Sequence, residues 1–308
     1  MAIQILPMAI FTLTGATGSV GKAIVSELIA NDHKVRVLST RKNFVWKGVE
    51  TYYWNPSKNL IDVLALEGAD YLIHLAGATV SKRWTAKYKQ EITDSRVQST
   101  QLLLDTLEKI DGEPKAVVSA SAIGIYGSDL ERTLVESDPP ADDYLASVTR
   151  TWEAYTQKFE TAERRSVQLR IGIVLDGGAG VLGQLEPLAK FGLASPLGKG
   201  DQWTSWIHVE DLARMFVFAA IQGLPSGAYN AVGPQPTSNR MLTKALCQVL
   251  NRPMWLPAVP GFLLKLVLGE MATLALMSQN VSNAKIASTG FTYAYPTLES
   301  ALMKIYKS

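Results

Sequence analysis

Apolar runs alternate with helical patterns through the first two-thirds of the 308-residue chain. This alternation predicts repeated strand–helix–strand units, which build a parallel sheet covered by helices. A first strand is expected over 9–13, and apolar residues at helical spacing predict a helix over 19–30. Five more strands and two longer helices should follow. The expected strands are 34–38, 49–54, 71–75, 116–121 and 167–174, and the expected helices are about 85–110 and 143–162.

The pattern changes after residue 175, where glycine, proline and tryptophan become frequent and the alternation ends. Such segments form surface loops, so a loop-rich lid is expected here. Residues 228–231 should return to the sheet as a further strand, and helical patterns dominate from about 238. The predicted dinucleotide-binding domain is 1–174 plus about 206–233, and the predicted substrate domain is about 175–205 plus 234–308.

Composition narrows the class of protein without changing this picture. Hydrophobic residues make up 47% of the chain and charged residues 19%, as in an ordinary folded protein. A formal net charge of +2 gives no reason to expect nucleic acid as a partner. Cys247, the single cysteine, lies in an apolar helical pattern and is expected in a core. Neither a disulfide nor a metal site is therefore predicted.

The ends of the chain indicate location and partners. No signal-peptide pattern precedes the first strand, so a cytoplasmic location is expected, with residues 1–7 as an extension. The most apolar stretch, 262–277, is interrupted by Lys265, Gly269 and Glu270 and is too short to span a membrane comfortably. It is predicted to be a core or interface helix pair, and a homodimer or another protein partner stays open.

A glycine-rich turn, Thr14-Gly-Ala-Thr-Gly-Ser-Val-Gly21, joins the first strand to the first helix. Gly15 permits the tight turn, Gly18 lets a pyrophosphate approach the backbone, and Gly21 lets the helix pack on the strand. Free N–H groups at the helix start favour phosphates. A dinucleotide site is predicted, and a turn without a ligand is the alternative. The residues assigned to the site are Gly15, Thr17, Gly18, Ser19, Val20 and Gly21.

The residues after the second strand indicate which dinucleotide is bound. An NAD site usually places an acid there to hold the ribose diol, and this chain has none. Arg41 instead offers a planar fork for a 2′-phosphate, with Thr40 beside it. Charge-assisted bonds of about 1.5–3 kcal/mol correspond to a roughly ten- to hundredfold preference for NADP(H). The alternative is a solvated basic loop.

Further motifs resemble a known family over about residues 9–306. They are Trp84 with Glu91 and Arg96, Ser119–Gly127, Trp152-Glu153, Leu169–Leu175, Gly198-x-Gly-x-Gln202 and Trp206–Asp211. With the glycine spacing, they resemble the atypical and extended short-chain dehydrogenase/reductases, and among these the NAD-dependent epimerase/dehydratase-like "epimerase family" proteins. The resemblance implies an α/β fold with a Rossmann-type, doubly wound parallel sheet. It also implies that the cofactor site includes Arg41, Leu75, Ala76, Gly77, Glu91 and Arg96. Ser282 departs from the group, which tends to have proline there.

Catalysis in this superfamily uses a Ser or Thr after the fifth strand and a Tyr and Lys four residues apart on the next helix. Ser121 and Tyr144 stand at the matching places, but Val148 replaces the lysine. An unassisted tyrosine has a pKa of about 10, so about one molecule in a thousand is ionised at neutral pH. Tyr144 as acid or base and Tyr144 as helix packing both stay open.

Other polar and aromatic side chains are candidates for the substrate side. His208 borders the substrate cleft in extended relatives, so it is a candidate catalytic group, with a structural hydrogen bond to Asp211 or the backbone as the alternative. His74 is expected to pack beside the sheet. Side chains suited to a flat or sugar-like ligand are Arg83, Trp84, Tyr126, Gln202 and Trp206.

Three functional hypotheses remain. The first is an NADP(H)-dependent oxidoreductase or epimerase for an unidentified carbonyl, alcohol or sugar-nucleotide substrate. The second is a non-catalytic NADP(H)-binding regulatory or scaffold protein, favoured by Val148 and by the apolar C-terminal helices. The third, a nucleic-acid-associated protein, has little support from the net charge.

Overall fold

The computed structural model describes residues 8–307, so the extension expected at 1–7 lies outside the described residues. The strands are β1 (Ile10–Thr14), β2 (Lys34–Ser39), β3 (Glu50–Asn55), β4 (Leu60–Ile61), β5 (Tyr71–His74), β6 (Ala116–Ala122), β7 (Thr133–Leu134), β8 (Arg165–Ile171), β9 (Ile173–Leu175), β10 (Trp203–Thr204), β11 (Trp206–His208), β12 (Gly227–Ala231), β13 (Thr237–Ser238) and β14 (Asn280–Val281). The helices are α1 (Ser19–Ala30), α2 (Ala86–Leu107), α3 (Tyr144–Thr156), α4 (Gly180–Lys190), α5 (Val209–Ile221), α6 (Asn239–Val249), α7 (Gly261–Leu268), α8 (Ala272–Leu276), α9 (Ala284–Ala287) and α10 (Leu298–Lys307).

An eight-stranded sheet in the order β12-β8-β6-β5-β1-β2-β3-β4 forms the centre of the described part of the chain. Its strand pairs are parallel except for β3 with β4. The strand order reverses between β1 and β5, because the chain first builds outward through β2 and β3 and then returns to the other side of β1. In open α/β sheets, ligands bind at the carboxyl ends of the strands beside such a reversal.

Helices cover both faces of the sheet. On one face, α1 and α5 pack over fully buried residues such as Phe11 and Leu13 of β1. On the other face, Leu103 of α2 packs with Leu72 of β5 and with Phe159. Because both faces are covered, the central strands are apolar on both sides, which is why they appear in the sequence as apolar runs. The predicted α/β, Rossmann-type doubly wound sheet is confirmed.

Two predicted element boundaries are wrong. The strand expected over 167–174 is two strands, and the break falls at Gly172. A Cβ on Gly172 would lie 2.5 Å from the Ser205 carbonyl oxygen, so β11 approaches the backbone there and pairs with β9 outside the main sheet. The helix expected to reach 162 ends at Thr156, followed by a 3-10 turn, because the chain must reverse before β8 starts at Arg165.

The C-terminal part has a hydrophobic core of its own. Leu182 of α4, Leu246 of α6 and Leu302 of α10 are buried together, and Cys247 lies among them as expected. The chain does not stay in this second core, since Ile286 and Phe291 pack into the core beside α1 and α5. The smaller, loop-rich and helical part thus contacts the core beside α1 and α5 near Ile286 and Phe291 and returns to the second core through α10.

The apolar segment at 262–277 differs from its prediction in part. It forms α7 and α8, but no residue of α7 is buried, so α7 is not a core helix. Phe262, Leu266 and Val267 are exposed instead, because the helix lies across the surface. A role in an interface stays a prediction. Within residues 8–307, no helix is long and apolar enough to cross a membrane.

Candidate functional site

The glycine turn lies where the strand order reverses, between the carboxyl ends of β1 and β5. Gly15 has a φ of +69°, and a Cβ there would lie 2.9 Å from the Leu75 carbonyl carbon, so only glycine fits. A Cβ on Gly21 would lie 2.5 Å from the Gly15 oxygen, which makes this the tight contact between helix and turn. Beside Gly18 the space is open, since its Cβ would meet only the Gly15 oxygen, at 3.4 Å.

The start of α1 can accept an anion. In the described part of the chain no side chain caps this helix, and its first turn has no acidic residue. Its free backbone N–H groups and the positive end of the helix dipole therefore face the open space beside Thr17 and Gly18, both of which are exposed. Val20 is partly buried behind them. The Ser19 hydroxyl is already engaged, because it donates a hydrogen bond to the Asp176 carboxylate after β9.

Thr14 ties this turn to β5. Its hydroxyl oxygen accepts hydrogen bonds from the backbone N–H groups of Leu75 (3.1 Å) and Ala76 (3.2 Å). Its proton is therefore left for Nδ1 of His74, at 2.8 Å. His74 is fully buried and bonds through Nε2 to Thr100, at 3.1 Å. Burial, helped by the positive charge of Arg96, lowers the pKa of His74 to about 3, so the ring is neutral and structural, as expected from the sequence.

A cleft of about 740 Å³ opens beside the turn, between the ends of β2, β3 and β5 and the outer face of α2. Thr40, Ala76, Gly77 and Glu91 line it, as the sequence predicts for a cofactor site. Arg41 lies exposed next to Thr40, and its backbone N–H is held by the Ser39 hydroxyl at 3.2 Å. The sequence did not indicate that residues at the end of β3 and on the polar face of α2 line this cleft. Those lining residues are Trp54, Asn55, Pro56, Ser57, Lys87, Gln90, Asp94, Ser95, Gln98 and Ser99.

Arg96 joins this cleft to the next helix. Its Nη1 donates hydrogen bonds to the backbone oxygens of Ile92 (2.8 Å) and Ala78 (3.1 Å), and its guanidinium lies 4.6 Å from the Trp152 ring centroid. Nε is buried without a hydrogen-bond partner. A Cβ on Gly77 would come within 3.2 Å of this side chain, so glycine lets the guanidinium reach the cleft wall.

Tyr144 lies on the same side, at the start of α3. Its hydroxyl donates to the Lys89 backbone oxygen at 3.2 Å, and its ring packs edge-on against Trp84, with centroids 5.1 Å apart. The Lys89 ammonium is 4.8 Å from the Tyr144 ring centroid and forms an ion pair with Glu270. Tyr144 and Trp84, which the sequence indicates separately as a catalytic and a substrate candidate, are therefore brought together, with Arg83 exposed next to Trp84 in the chain.

A catalytic hydroxyl has to be accessible to the substrate, and the environment of Ser121 is different. It is buried, and its hydroxyl donates to Oε1 of Glu153 at 2.5 Å. Glu153 also forms a two-bond ion pair with Arg170, through Nε at 2.8 Å and Nη2 at 2.9 Å. Sequence reasoning missed this pair, although a charged residue inside the apolar strand β8 was a signal that it needed a buried partner.

Two further predicted residues use their polar groups inside the protein. Nδ1 of His208 accepts the Glu210 backbone N–H at 3.2 Å and so caps α5; this is the structural bond to the backbone that the sequence left open. Burial lowers the pKa of His208. The Tyr126 hydroxyl donates to Asn230 at 2.7 Å, and burial raises its pKa to about 12.

Gln202 and Trp206 are buried as well. The Gln202 amide donates to the backbone oxygens of Leu197 (3.0 Å) and Ala275 (2.9 Å), which fixes the loop to α8. Trp206 packs inside the second hydrophobic core. Of the predicted substrate residues, Trp84 packs on Tyr144 and Arg83 is exposed next to it in the chain, whereas the other three side chains are used in the interior.

Comparison with known proteins agrees with this geometry. A family model described as "NAD dependent epimerase/dehydratase family" matches residues 11–172, and a domain of unknown function, DUF1731, matches residues 259–305. The chain is 35% identical over 305 residues to the epimerase family protein SDR39U1 homolog, chloroplastic, of Arabidopsis thaliana, covering 96% of this chain and 86% of the relative. It is 35% identical over 294 residues to the epimerase family protein YfhF of Bacillus subtilis, covering 95% and 96%.

A solved structure gives the same assignment. The human epimerase family protein SDR39U1 (isoform 2), crystallised with NADPH, has a TM-score of 0.87 and 28% identity, covering 97% of this chain and 99% of that chain. The chloroplast location belongs to the Arabidopsis protein, so the cytoplasmic location of this chain stays a prediction. The resemblance noted from the motifs is confirmed, and the chain belongs to the NAD-dependent epimerase/dehydratase family, among its epimerase family proteins.

Proposed function

We propose that this protein binds NADP(H) and acts as an oxidoreductase or epimerase on a carbonyl, alcohol or sugar-nucleotide substrate. The observation that carries the proposal is the open, uncapped turn at Gly18, beside a cleft at the reversal of strand order. A pyrophosphate fits this place, because backbone N–H groups and a helix dipole are turned toward a space that a side chain would fill. The NADPH bound to the human relative supports the same cofactor here.

The adenosine half would lie in the 740 Å³ cleft. Thr40 and Arg41 stand at its rim, where a 2′-phosphate on the adenine ribose would lie, and no acid follows β2 to favour a free ribose diol. A guanidinium can hold such a phosphate with two parallel hydrogen bonds. This arrangement favours NADP(H) over NAD(H).

The reactive half would lie between the glycine turn and Tyr144. A bound nicotinamide supplies hydride chemistry, and this chain has to position a substrate and exchange a proton. Tyr144 is the side chain suited to the proton transfer, since within residues 8–307 its hydroxyl forms one hydrogen bond, of 3.2 Å to a backbone oxygen. Trp84, packed against Tyr144, offers an apolar wall for a flat or sugar-like substrate. Ser121 is not free for this task while it donates to Glu153.

A second hypothesis, a non-catalytic protein that uses NADP(H) to set a conformation, rests on two observations. Val148 stands in place of the motif lysine, and α7 exposes Phe262, Leu266 and Val267. An exposed apolar surface of this kind is typical of a protein contact. The two hypotheses share the cofactor and differ in whether the bound nicotinamide takes part in a reaction.

The experiment is a fluorescence titration of the purified protein with NADPH and, separately, with NADH. We expect NADPH to bind at least tenfold more tightly than NADH. A panel of carbonyl compounds and sugar nucleotides, with NADPH consumption and epimerisation as readouts, then separates the two hypotheses. Failure of both dinucleotides to bind would overturn the proposal in either form. Tight binding with no turnover over the whole panel would favour the non-catalytic protein.

A further inference from the structure

The lysine that assists the tyrosine in this superfamily is absent from α3, because Val148 stands at its position. Tyr144, Val148 and Trp152 are spaced four residues apart on α3 and therefore share one face of the helix. That face packs against α2, since Tyr144 contacts Lys89 and Trp152 contacts Arg96. Val148 lies between Tyr144 and Trp152 on α3, so it is opposite the part of α2 between Lys89 and Arg96.

The Arg96 side chain reaches into the same stretch. Side chains on a helix lean toward its N-terminus, and the Arg96 guanidinium is bonded to the Ile92 oxygen, one turn back toward Lys89. Its positive charge thus lies beside the α3 face that carries Val148, and next to the cleft wall at Gly77. We propose that Arg96, reaching across from α2, supplies the fixed positive charge that the lysine of the Tyr-x-x-x-Lys motif supplies elsewhere.

Among the positive charges around Tyr144, the one on Arg96 is not compensated by a carboxylate within residues 8–307. The Lys89 ammonium lies 4.8 Å from the ring centroid, but its charge is compensated by the ion pair with Glu270. Arg96 has no carboxylate partner among residues 8–307, and its Nε is buried and unpaired. The charged or titratable groups packed around Tyr144 are Tyr88, Lys89 and Arg96 of α2, Asp143 before α3, and Glu270 of the segment after α7.

The electrostatics of Tyr144 agree with this assignment. Burial raises the pKa of Tyr144 above its usual value, and Tyr88 and Glu270 act in the same direction. Arg96 is the group that opposes them and lowers the pKa. The same guanidinium lies against Gly77 in the cleft wall and bonds to the Ala78 oxygen, so it can contact a bound dinucleotide as well as act on the tyrosine. Arg96 is therefore a positioning residue, because it acts through Tyr144. The inference rests on the proposed function.

The test measures the ionisation of Tyr144 directly, without cofactor or substrate. The protein is labelled with ¹³C at tyrosine Cζ, the Tyr144 signal is assigned by its loss in Tyr144→Phe, and its chemical shift is followed against pH. We expect Arg96→Gln to raise the Tyr144 pKa by about 1 unit or more, as loss of a nearby opposite charge does. Arg96→Met removes the same charge with a more apolar side chain, so a folding failure of one variant leaves the other.

Two further variants sharpen the result. In Arg96→Gln/Val148→Lys the motif lysine is restored, and the Tyr144 pKa should return toward that of the parent protein. Arg150→Gln is the matched control, because Arg150 is an exposed arginine on the same helix and its loss should leave the Tyr144 pKa unchanged. An unchanged Tyr144 pKa in both Arg96 variants would overturn the inference. So would a Tyr144 that fails to titrate before the parent protein unfolds in alkali.

The titration of Tyr144 can be interpreted whether or not the proposed function is correct. If NADPH does not bind, the proposed function fails while the effect of Arg96 on Tyr144 is still measured. If NADPH binds and the Tyr144 pKa does not respond to Arg96, only the inference fails. In the cofactor titration, we expect Arg96→Gln to weaken NADPH and NADH about equally, because the two dinucleotides differ at the 2′-phosphate, which is assigned to Arg41.

Discussion

The hydroxyl of Thr14 and Nδ1 of His74 lie 2.8 Å apart and lock the glycine turn of β1 to the end of β5. Because the Thr14 oxygen already accepts two backbone N–H groups, it must donate its proton to His74, which requires Nδ1 to be unprotonated. A protonated ring would lose this bond and would also bring a second positive charge close to Arg96. The turn that faces the proposed pyrophosphate therefore depends on a neutral histidine.

This dependence predicts how stability changes with pH. Burial and the charge of Arg96 lower the pKa of His74 from 6.5 to about 3, so between these values the unfolded chain binds a proton that the folded protein does not. The stabilisation is complete above pH 6.5 and is lost as the pH falls from 6.5 toward 3. Between pH 7 and pH 5, this single group should lower the free energy of unfolding by about 2 kcal/mol.

His74→Asn provides the comparison, because asparagine can donate and accept hydrogen bonds but does not titrate. Urea unfolding at pH 7 and at pH 5 should show that the variant loses less stability than the parent protein. His33 and His208 also have lowered pKa values and remain in both proteins, so only the difference counts. Equal losses in the two proteins would show that His74 is not the group involved.

A second prediction separates two glycines of the turn. Gly18 has extended backbone angles and open space at its Cβ, so Gly18→Ala should cost less than about 1 kcal/mol of stability. Its methyl group would enter the space proposed for the pyrophosphate, so NADPH affinity should fall at least tenfold. Gly21→Ala meets backbone atoms at 2.5 Å and should cost about 1–3 kcal/mol through overpacking. Thermal unfolding and NADPH titration of both variants test this contrast, and a Gly18→Ala protein with unchanged affinity would contradict it.

A third prediction concerns the dinucleotide preference. Arg41 is exposed at the rim of the cleft, so Arg41→Ala should leave the fold intact. NADPH affinity should fall about ten- to hundredfold, as expected for the loss of a charge-assisted pair, while weak NADH binding stays nearly the same. Lys47→Ala, which removes another exposed positive charge from the segment before β3, is the control. If NADPH and NADH lose affinity equally, Arg41 does not hold the 2′-phosphate.

Much of the fold could be predicted because strand and helix signals are local. The glycine turn fixed the start of α1 at Ser19, and apolar runs located the parallel strands to within about one or two residues. The split at Gly172 could not be predicted, because it is caused by the backbone of Ser205, more than thirty positions later. Residue type indicates that glycine permits a close approach, but it does not identify the approaching segment.

The same limit explains why the positions of some predicted site residues could be inferred from the sequence and those of others could not. Gly15, Gly18 and Ala76 belong to segments whose place at the sheet edge follows from the order of the strands, so their positions near the cleft could be inferred. Tyr126 and Gln202 are candidates because of their chemistry and their motifs, and the order of the strands does not imply where they lie. Tyr126 bonds to Asn230, 104 residues away, and Gln202 bonds to the Ala275 oxygen. A sequence shows which bonds a side chain can form, but not which distant partner has already taken them.

The last prediction concerns Ser121, for which the sequence motif indicates a catalytic role and the hydrogen bond to Glu153 indicates a structural one. Its hydroxyl is buried and donates to Glu153 at 2.5 Å, and Glu153 is paired with Arg170 by two further bonds. Burial works against the charge of Arg170, but the Glu153 carboxylate outweighs it and raises the pKa of Arg170 above its ordinary value. Glu153→Gln should therefore cost about 3–5 kcal/mol, because it leaves a buried guanidinium uncompensated.

Ser121→Ala removes one donor while the ion pair remains, so it should cost only about 1 kcal/mol. Urea unfolding of Ser121→Ala, Glu153→Gln and the double variant should show that the serine matters less once the carboxylate is gone, because both changes act on one hydrogen bond. Since the hydroxyl faces Glu153, NADPH affinity and any turnover should be nearly unchanged in Ser121→Ala. A stable Ser121→Ala protein with strongly reduced turnover would instead give Ser121 a catalytic role, and its hydroxyl would then have to leave Glu153 when substrate binds.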